Sequence, residues 1–543
     1  MKANPTIFCT REKTAPPSPW SRKMPSPAPL YIIALSTVGI TNSAGAPKQE
    51  RPNIIFILTD DHRWDAIGYA GNNIVQTPEI DRLAAEGTYF RNAFVTTPIS
   101  AASRASILTG LYERTHGYTF GQGQLKQPFA NISYPAELKK GGYYTGFFGK
   151  FGVEYNDIEE LFHEADVYDR LSNSPDRRGY FYKTLGSDTV HLTRYTSHQA
   201  QEFIRAAPDD KPFCLSLSFS APHAHDEAPE QYIWQERSNA TYENTVIPDP
   251  PLGGDEYFER LPEEVRQGYN RTRWHWRFDT PRKYQDMVKG YYRMISEIDD
   301  EIGALRKLLE EKGIAGNTII IFMGDNGYFL GERQLAGKWL MYDNSLRVPF
   351  IIYDPGAVHN DIDDMVLNID VPSTILGYAG VSLPQSYQGI SLIPYVENGR
   401  YGGRRPNTLF EHLWELPAIP SSEGIRTGRW KYFRYRFIDA PEELYDLQND
   451  PAETVNLASD EKYEKVLLSL RLQCDGAIER YNSDKAGILG RQLTQCPTPA
   501  LNCEVGGRTS PPQTAIYLIY LCPCLTGYGN AAFSPIREKS GEK

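Results

Sequence analysis

No stretch of about 20 apolar residues occurs in the 543-residue chain, which excludes a membrane-spanning helix in the mature protein. A surplus of positive charge is also missing. Lys and Arg number 57 against 68 Asp and Glu, a formal net charge of −11, the opposite of what a general nucleic-acid binder carries. Cysteine is scarce: seven residues do not make a disulfide scaffold, and five of them lie at or after Cys474. What remains is ordinary globular composition, 40% hydrophobic, 23% charged and 12% aromatic, which excludes disorder over most of the length. The chain is long enough for a sizeable core, in one large domain with a satellite or in two or three domains.

The two ends differ from the middle. Residues 1–46 carry Arg22 and Lys23, then the apolar segment Leu30 to Ile40, then small residues ending Ala44-Gly45-Ala46. That is the layout of a secretory signal peptide, so the mature protein is expected to be secreted or periplasmic. At the other end, Cys496, Cys503, Cys522 and Cys524 crowd into a Pro/Gly-rich segment around Ala515 to Leu521. Residues 486–543 read as a tail without an assigned role, either a disulfide-closed appendage or an extension.

Between the ends, strands and helices alternate. Pro52 to Thr59 is a continuous apolar run, as expected of a strand buried on both faces in a parallel sheet, and it ends in Asp60-Asp61. Pro78 to Gly87 reads as a helix with Pro at its start and Gly at its end. Lys211 to Phe219 repeats the strand texture. Gln285 to Lys312 is a long amphipathic helix with Met287, Tyr291, Ile295, Ile298, Ile302, Leu305 and Leu309 on one stripe. Asn317 to Met323 is another buried strand, running into Gly324-Asp325-Asn326-Gly327. The order predicts an α/β fold, a large mostly parallel sheet flanked by helices. In such sheets ligands bind at the carboxyl ends of the strands. Asp60 and Asp61 are therefore expected beside Asp325 and Asn326, four hard oxygen side chains suited to Ca²⁺ or Mg²⁺. Either pair alone would more readily cap a helix or shape a turn; both at equivalent strand ends reverse that and favour a metal.

Thr97-Pro-Ile-Ser100-Ala-Ala-Ser103-Arg104 leads into a helix predicted to end at Gly110. A serine at a helix N-terminus faces unpaired N–H groups and the positive end of the dipole, and Arg104, one turn on, shares its face. The segment resembles the signature of the type I sulfatases, of the alkaline-phosphatase superfamily: Cys or Ser opening C/S-x-P/A-S/T-R, with a distal Thr-Gly, here Thr109-Gly110. The resemblance implies that Ser100 is the precursor of formylglycine, in the serine-type version matured by radical-SAM enzymes. The hydrated aldehyde attacks sulfur, and its second hydroxyl expels sulfate.

Further elements match in family order. Asp60-Asp61 and Asp325-Asn326 resemble the two metal pairs, with Ser100 between them and Ca²⁺ as the implied ion. Gly149-Lys150 resembles the Gly-Lys-Trp-His element, and Ser220-Ala-Pro-His223 the Pro-His element that binds sulfate. Gly331 to Lys338, with Tyr342 and Leu346 to Pro349, resembles the segment supplying the second sulfate-binding lysine; His116 also matches many members. One position departs: where the family commonly has His two residues after the lysine, this chain has Gly152, and the role could pass to His116, His225 or a water. The implied organisation is a catalytic domain over 50–395 and a smaller C-terminal α+β subdomain over 396–485.

A sulfate ester develops further negative charge as its S–O bond breaks, and preorganised cations supply the largest catalytic term. Arg104, Lys150 and Lys338, with the metal, are the expected cations, and His223, tuned near neutrality, the acid for the leaving alcohol. Arg404, Arg405, Arg426, Arg429, Lys431, Arg434 and Arg436, with His412 and Trp414 between them, suit an anionic sugar or form a solvated basic hairpin. The segment His225 to Arg282, with Trp234, Trp274, His275 and Trp276, frames a substrate or packs as a loop. The expected protein is thus a sulfatase of sulfated carbohydrates. The alternatives are a phosphomonoester or phosphodiester hydrolase of the same superfamily with unmodified Ser100, and a non-catalytic binder of sulfated glycans.

Overall fold

The computed structural model describes residues 51–493 except 401 and 404. The expected leader, most of the expected tail and Arg404 lie outside the described residues. Eight strands form the main sheet: β1 (Asn53–Thr59), β2 (Thr88–Phe94), β3 (Tyr144–Gly149), β4 (Glu164–Val167), β5 (Phe213–Ser218), β6 (Thr318–Gly324), β7 (Phe350–Tyr353) and β8 (Asn360–Leu367). Their order is β8-β2-β7-β6-β1-β5-β3-β4, and only β7 runs antiparallel to its neighbours.

The central strands are uninterrupted apolar runs because both faces are covered. Alternate residues of β1 feed opposite sides: Ile54, Phe56 and Leu58 enter one core, Ile55 and Ile57 the other. The second core is closed by α1 (Pro78–Glu86) and by a 31-residue helix, Pro281–Glu311, about 46 Å long. That long helix starts four residues before the expected Gln285, because Pro281 takes the first turn and Thr280 Oγ1 accepts a hydrogen bond from the Lys283 N–H at 3.2 Å. The apolar stripe from Met287 to Leu309 is buried as the periodicity requires.

A second, four-stranded antiparallel sheet follows: β9 (Thr408–His412), β10 (Ser422–Arg426), β11 (Trp430–Tyr435) and β12 (Glu443–Asp446). The helix Glu464–Leu493 packs against it and crosses the expected boundary at 485. No helix among the described residues is long and apolar enough to cross a membrane. Cys214 and Cys474 are buried and free.

The register sets up the site. Thr59 pairs with Gly324 and Leu58 with Ser218, while Gly149 also pairs with Ser218. Asp60, Lys150, Phe219 and Asp325 therefore leave the sheet together at its carboxyl edge.

Candidate active site

Ser100 opens α2 (Ser100–Thr109), a helix buried on every side. Ala101, Ala102, Ala105 and the small serines at 103 and 106 permit that close packing, and Gly110, at φ 70°, stops it in the left-handed conformation. Ile99 rather than Ser100 holds the N-cap position, so the Ser100 hydroxyl is free of capping duty. Its Oγ lies 3.1 Å from Asp60 Oδ1, 3.2 Å from Asn326 Oδ1 and 3.1 Å from Lys338 Nζ, which donates to it.

The Asp60-Asp61 and Asp325-Asn326 pairs lock to each other as well. The Asp61 N–H donates to Asp325 Oδ1 at 3.0 Å, and Asn326 Nδ2 donates to Asp61 Oδ1 at 2.7 Å. Asp61 adopts φ 63°, and its carbonyl accepts from Tyr291 on the long helix at 2.7 Å. Three cations face these acids. Arg104 Nε donates to Asp325 Oδ2 at 2.8 Å and Nη1 to the Lys150 carbonyl at 2.6 Å, while Nη2 lies 3.7 Å from Asp60 Oδ2. Lys150 Nζ contacts Asp60 Oδ2, and Lys338 Nζ contacts Asp61 Oδ1. Burial alone would raise the Asp60 carboxyl, but the cations Lys150, Lys338 and Arg104 outweigh it and hold Asp60 well below its ordinary value. Burial and the neighbouring Asp60 charge raise Asp325.

His223 joins from the loop after β5. Its Nδ1 donates to the Ala224 carbonyl at 2.6 Å, and Nε2 faces Asp61 Oδ2 at 3.5 Å. Burial first, then Arg170 and Lys338, push the imidazole well below its ordinary value, so the ring is neutral in the free site and not tuned near neutrality as expected.

Two residues that the sequence pattern did not reveal complete the cluster. Asp169 Oδ2 lies 3.3 Å from Lys150 Nζ, and Arg170 Nη2 sits 3.3 Å from His223 Nε2. They follow β4, whose four residues, Glu-Ala-Asp-Val, have no apolar run to flag a strand end.

His116 is not brought to the cluster. It ends α3 (Glu113–His116), where its Nδ1 accepts from the Tyr118 N–H at 3.0 Å and its Nε2 meets Ser106 Oγ at 3.0 Å. Burial, with Lys485 nearby, lowers it to about 3. It is a neutral packing residue behind α2. His225 is likewise turned away, its Nδ1 3.3 Å from Glu227. The Gly152 departure has a steric reason: at φ 68°, a Cβ there would stand 2.6 Å from Arg104 Cδ. The arginine stem occupies the space that a side chain at 152 would enter.

The donor set fits a hard divalent cation. Donor atoms of Asp60, Asp61 and His223 lie within 4.8 Å of one another, all buried, and Asp61 Oδ2 has no hydrogen-bond partner among the described residues. The described basic residues of the C-terminal sheet are not free for an anion. Arg405 pairs with Asp370, Arg426 and Lys431 with Asp343, Arg429 with Asp446, and Arg434 and Arg436 with Glu423.

A mostly parallel sheet with a serine, clustered acids and basic side chains at its carboxyl edge is the arrangement expected of a hydrolase of the alkaline-phosphatase superfamily. The model of the sulfatase family matches residues 52–381, and that of the N-sulphoglucosamine sulphohydrolase C-terminal region matches 331–479. The chain belongs to the sulfatase family, and its curated relatives include sulfuric ester hydrolases. It is 28% identical over 515 residues to an N-acetylglucosamine-6-O-sulfatase of Bacteroides thetaiotaomicron, covering 81% of this chain and 89% of that one. It is also 28% identical to an arylsulfatase of Clostridium perfringens, over 78% of this chain and 93% of the other. A solved structure of a protein in complex with its substrate, D-glucosamine-2-N,6-O-disulfate, superposes with a TM-score of 0.67 at 26% identity. That match covers 80% of this chain and 99% of the other.

Proposed function

We propose that this protein is a secreted or periplasmic sulfatase of sulfated carbohydrates that uses Ca²⁺ and formylglycine made from Ser100 by a radical-SAM maturase. The observation that carries this reading is the Ser100 hydroxyl: it sits among Asp60, Asn326 and Lys338 at 3.1–3.2 Å, buried, at the N-terminus of α2. Asp60, Asp61, Asp325 and Asn326 would hold the calcium ion, which supplies Lewis-acid stabilisation of sulfate oxygens. Formylglycine supplies a geminal diol as nucleophile and its own leaving path.

The chain's own residues do the rest. Four carboxylates, Asp60, Asp61, Asp169 and Asp325, face Arg104, Lys150, Arg170 and Lys338, so the side chains are balanced and a bound divalent cation tips the site positive. A sulfate monoester, an anion, needs that sign. Lys150 and Lys338 turn their ammonium groups to the sulfate oxygens, and Arg104 holds Asp325 and the Lys150 backbone in place. His223 Nε2, the ring nitrogen not engaged by the Ala224 carbonyl, carries no proton in the neutral ring; with the anionic sulfate ester bound beside it, it would take one up from solvent and pass it to the leaving oxygen. The four-stranded sheet and its helix form the C-terminal subdomain; residues 1–46 are the leader.

The names of the relatives support a sulfated amino sugar as the first substrate class to assay. Sulfated and phosphorylated chromogenic esters, with and without a calcium chelator, test the reading. Turnover of the sulfate ester that the chelator abolishes supports it. Preference for the phosphate ester by an enzyme with unmodified Ser100 would establish the phosphohydrolase alternative instead.

A further inference from the structure

Beside the cluster runs a line of aromatic rings that the sulfate chemistry does not use. Trp339 directly follows Lys338, adopts φ 82°, and donates its backbone N–H to the Pro98 carbonyl at 3.1 Å, two residues before Ser100. It packs with Ile99, Ala102 and Ile419 in a small apolar floor, against which Tyr269 and Trp414 also lie. On one side Tyr269 stands 5.8 Å from Trp339 and 5.6 Å from Trp276, centroid to centroid. On the other, Trp414 stands 5.4 Å from Phe120.

The outer rings are open to solvent, Phe120 at 42% and Trp276 at 37% exposure, and Trp414 and Tyr269 are half-buried. Three separate segments therefore place large aromatic side chains at the surface, around Trp339, which lies buried beneath them at 4% exposure. Surfaces of this kind mark binding sites more often than chance packing does. The strip is held rigid from below: Arg273 lies 4.7 Å over the Trp339 ring and 5.0 Å over Tyr269, and donates to Asp226 Oδ2 at 2.6 Å. A rigid aromatic face with few charges of its own suits the C–H face of a pyranose ring, not a second sulfate.

We infer that the rings of Trp276, Tyr269, Trp414 and Phe120, set over buried Trp339, are a carbohydrate-binding platform for the sugars attached to the sulfated one, so the enzyme acts on oligosaccharides in preference to monosaccharides. This rests on the sulfated-carbohydrate reading and deepens it. The floor begins at the residue before Ser100 and at the residue after Lys338, so a chain of sugars on the strip leads directly into the reacting centre. Arg273 is tied to Asp226, which also pairs with buried Arg277, so its charge is held beneath the rings and the strip presents ring faces.

The test uses the matured, calcium-loaded enzyme and two sizes of each substrate. Tetrasaccharides of keratan sulfate, heparin, chondroitin sulfate, carrageenan and ulvan are compared with the corresponding sulfated monosaccharides. For whichever backbone is turned over, kcat/KM for the tetrasaccharide exceeds that for the monosaccharide by about tenfold or more. Trp414→Ala and Trp276→Ala each shrink that ratio by about five- to tenfold, through KM, the size one aromatic face contributes. Trp414→Phe keeps most of it, because the ring face is retained. Equal turnover of the two sizes by the wild type overturns the platform, as does an alanine variant that lowers both activities alike. If none of the glycans is hydrolysed in either size while 4-nitrophenyl sulfate is, the carbohydrate reading itself has failed, and the platform with it.

Discussion

Lys338 Nζ donates to Ser100 Oγ at 3.1 Å and also contacts the Asp61 carboxylate. A lysine 238 positions downstream thus holds the proposed nucleophile against the proposed metal ligands. Removing such a preorganised donor costs about 10²- to 10³-fold in kcat. Lys338→Ala should show that loss on a sulfate ester together with a lowered melting temperature, because it leaves the buried Asp61 carboxylate without its lysine partner. An unchanged kcat would remove Lys338 from the chemistry.

Arg104 makes a different prediction. Its guanidinium joins Asp325, the Lys150 carbonyl and Ser218 Oγ, which donates to that same carbonyl. A lysine cannot reproduce that fork. Arg104→Lys leaves Asp325 buried without its partner, and breaking a buried pair costs about 3–5 kcal/mol. Chemical denaturation should show a loss of that order together with loss of activity. A variant of wild-type stability would mean that the site is more open to water than its geometry indicates.

Gly152 tests whether the departure from the family can be undone. Gly152→His places a Cβ 2.6 Å from Arg104 Cδ at φ 68°, so the arginine must move and the backbone is strained by about 1–3 kcal/mol. The expected outcome is lower stability and lower activity. A gain in kcat would show that Arg104 can yield without harm.

How far the residues announce this arrangement depends on where the information lies. β1 and β6 are legible because strands buried on both faces are uninterrupted apolar runs, and their terminal acids follow at once. β4 sits at the sheet edge as Glu-Ala-Asp-Val, so Asp169 and Arg170 just beyond it carried no flag. His116 shares a segment with Ser100 but not a direction. It meets Ser106, six residues on, which at about 100° per residue is about 240° round the helix from Ser100. The basic residues of the C-terminal sheet look like an anion site along the chain. Folding supplies each described one with a carboxylate that distance in sequence conceals.

Stability should also fall as pH rises through neutrality. Burial, with Glu411 beside it, raises Glu113 to about 8, and burial raises Glu297 and Asp299 to about 7. These groups are protonated in the folded protein at pH values where the unfolded chain has lost the proton. Their contribution is therefore complete below about pH 4, the unfolded carboxyl range, and is lost as pH rises through 7 to 8. Glu113→Gln keeps a neutral side chain at every pH. Melting curves from pH 5 to pH 9 should show a shallower decline for this variant, and parallel curves would contradict the assignment.

Calcium should raise the melting temperature by mass action, since the acids that would hold it converge only in the folded chain. Asp325→Asn should weaken that rise, and a chelator should reverse it. A melting temperature indifferent to Ca²⁺ and Mg²⁺ alike would remove the metal from the account.

The central claim is that Ser100 is a precursor and not the final nucleophile. Mass spectrometry of the peptide spanning Ser100, from protein made in its native host, tests it most directly. The expected result is a peptide lighter by two hydrogens at position 100 that reacts with a carbonyl reagent. Unmodified serine in every molecule of an active preparation would contradict it.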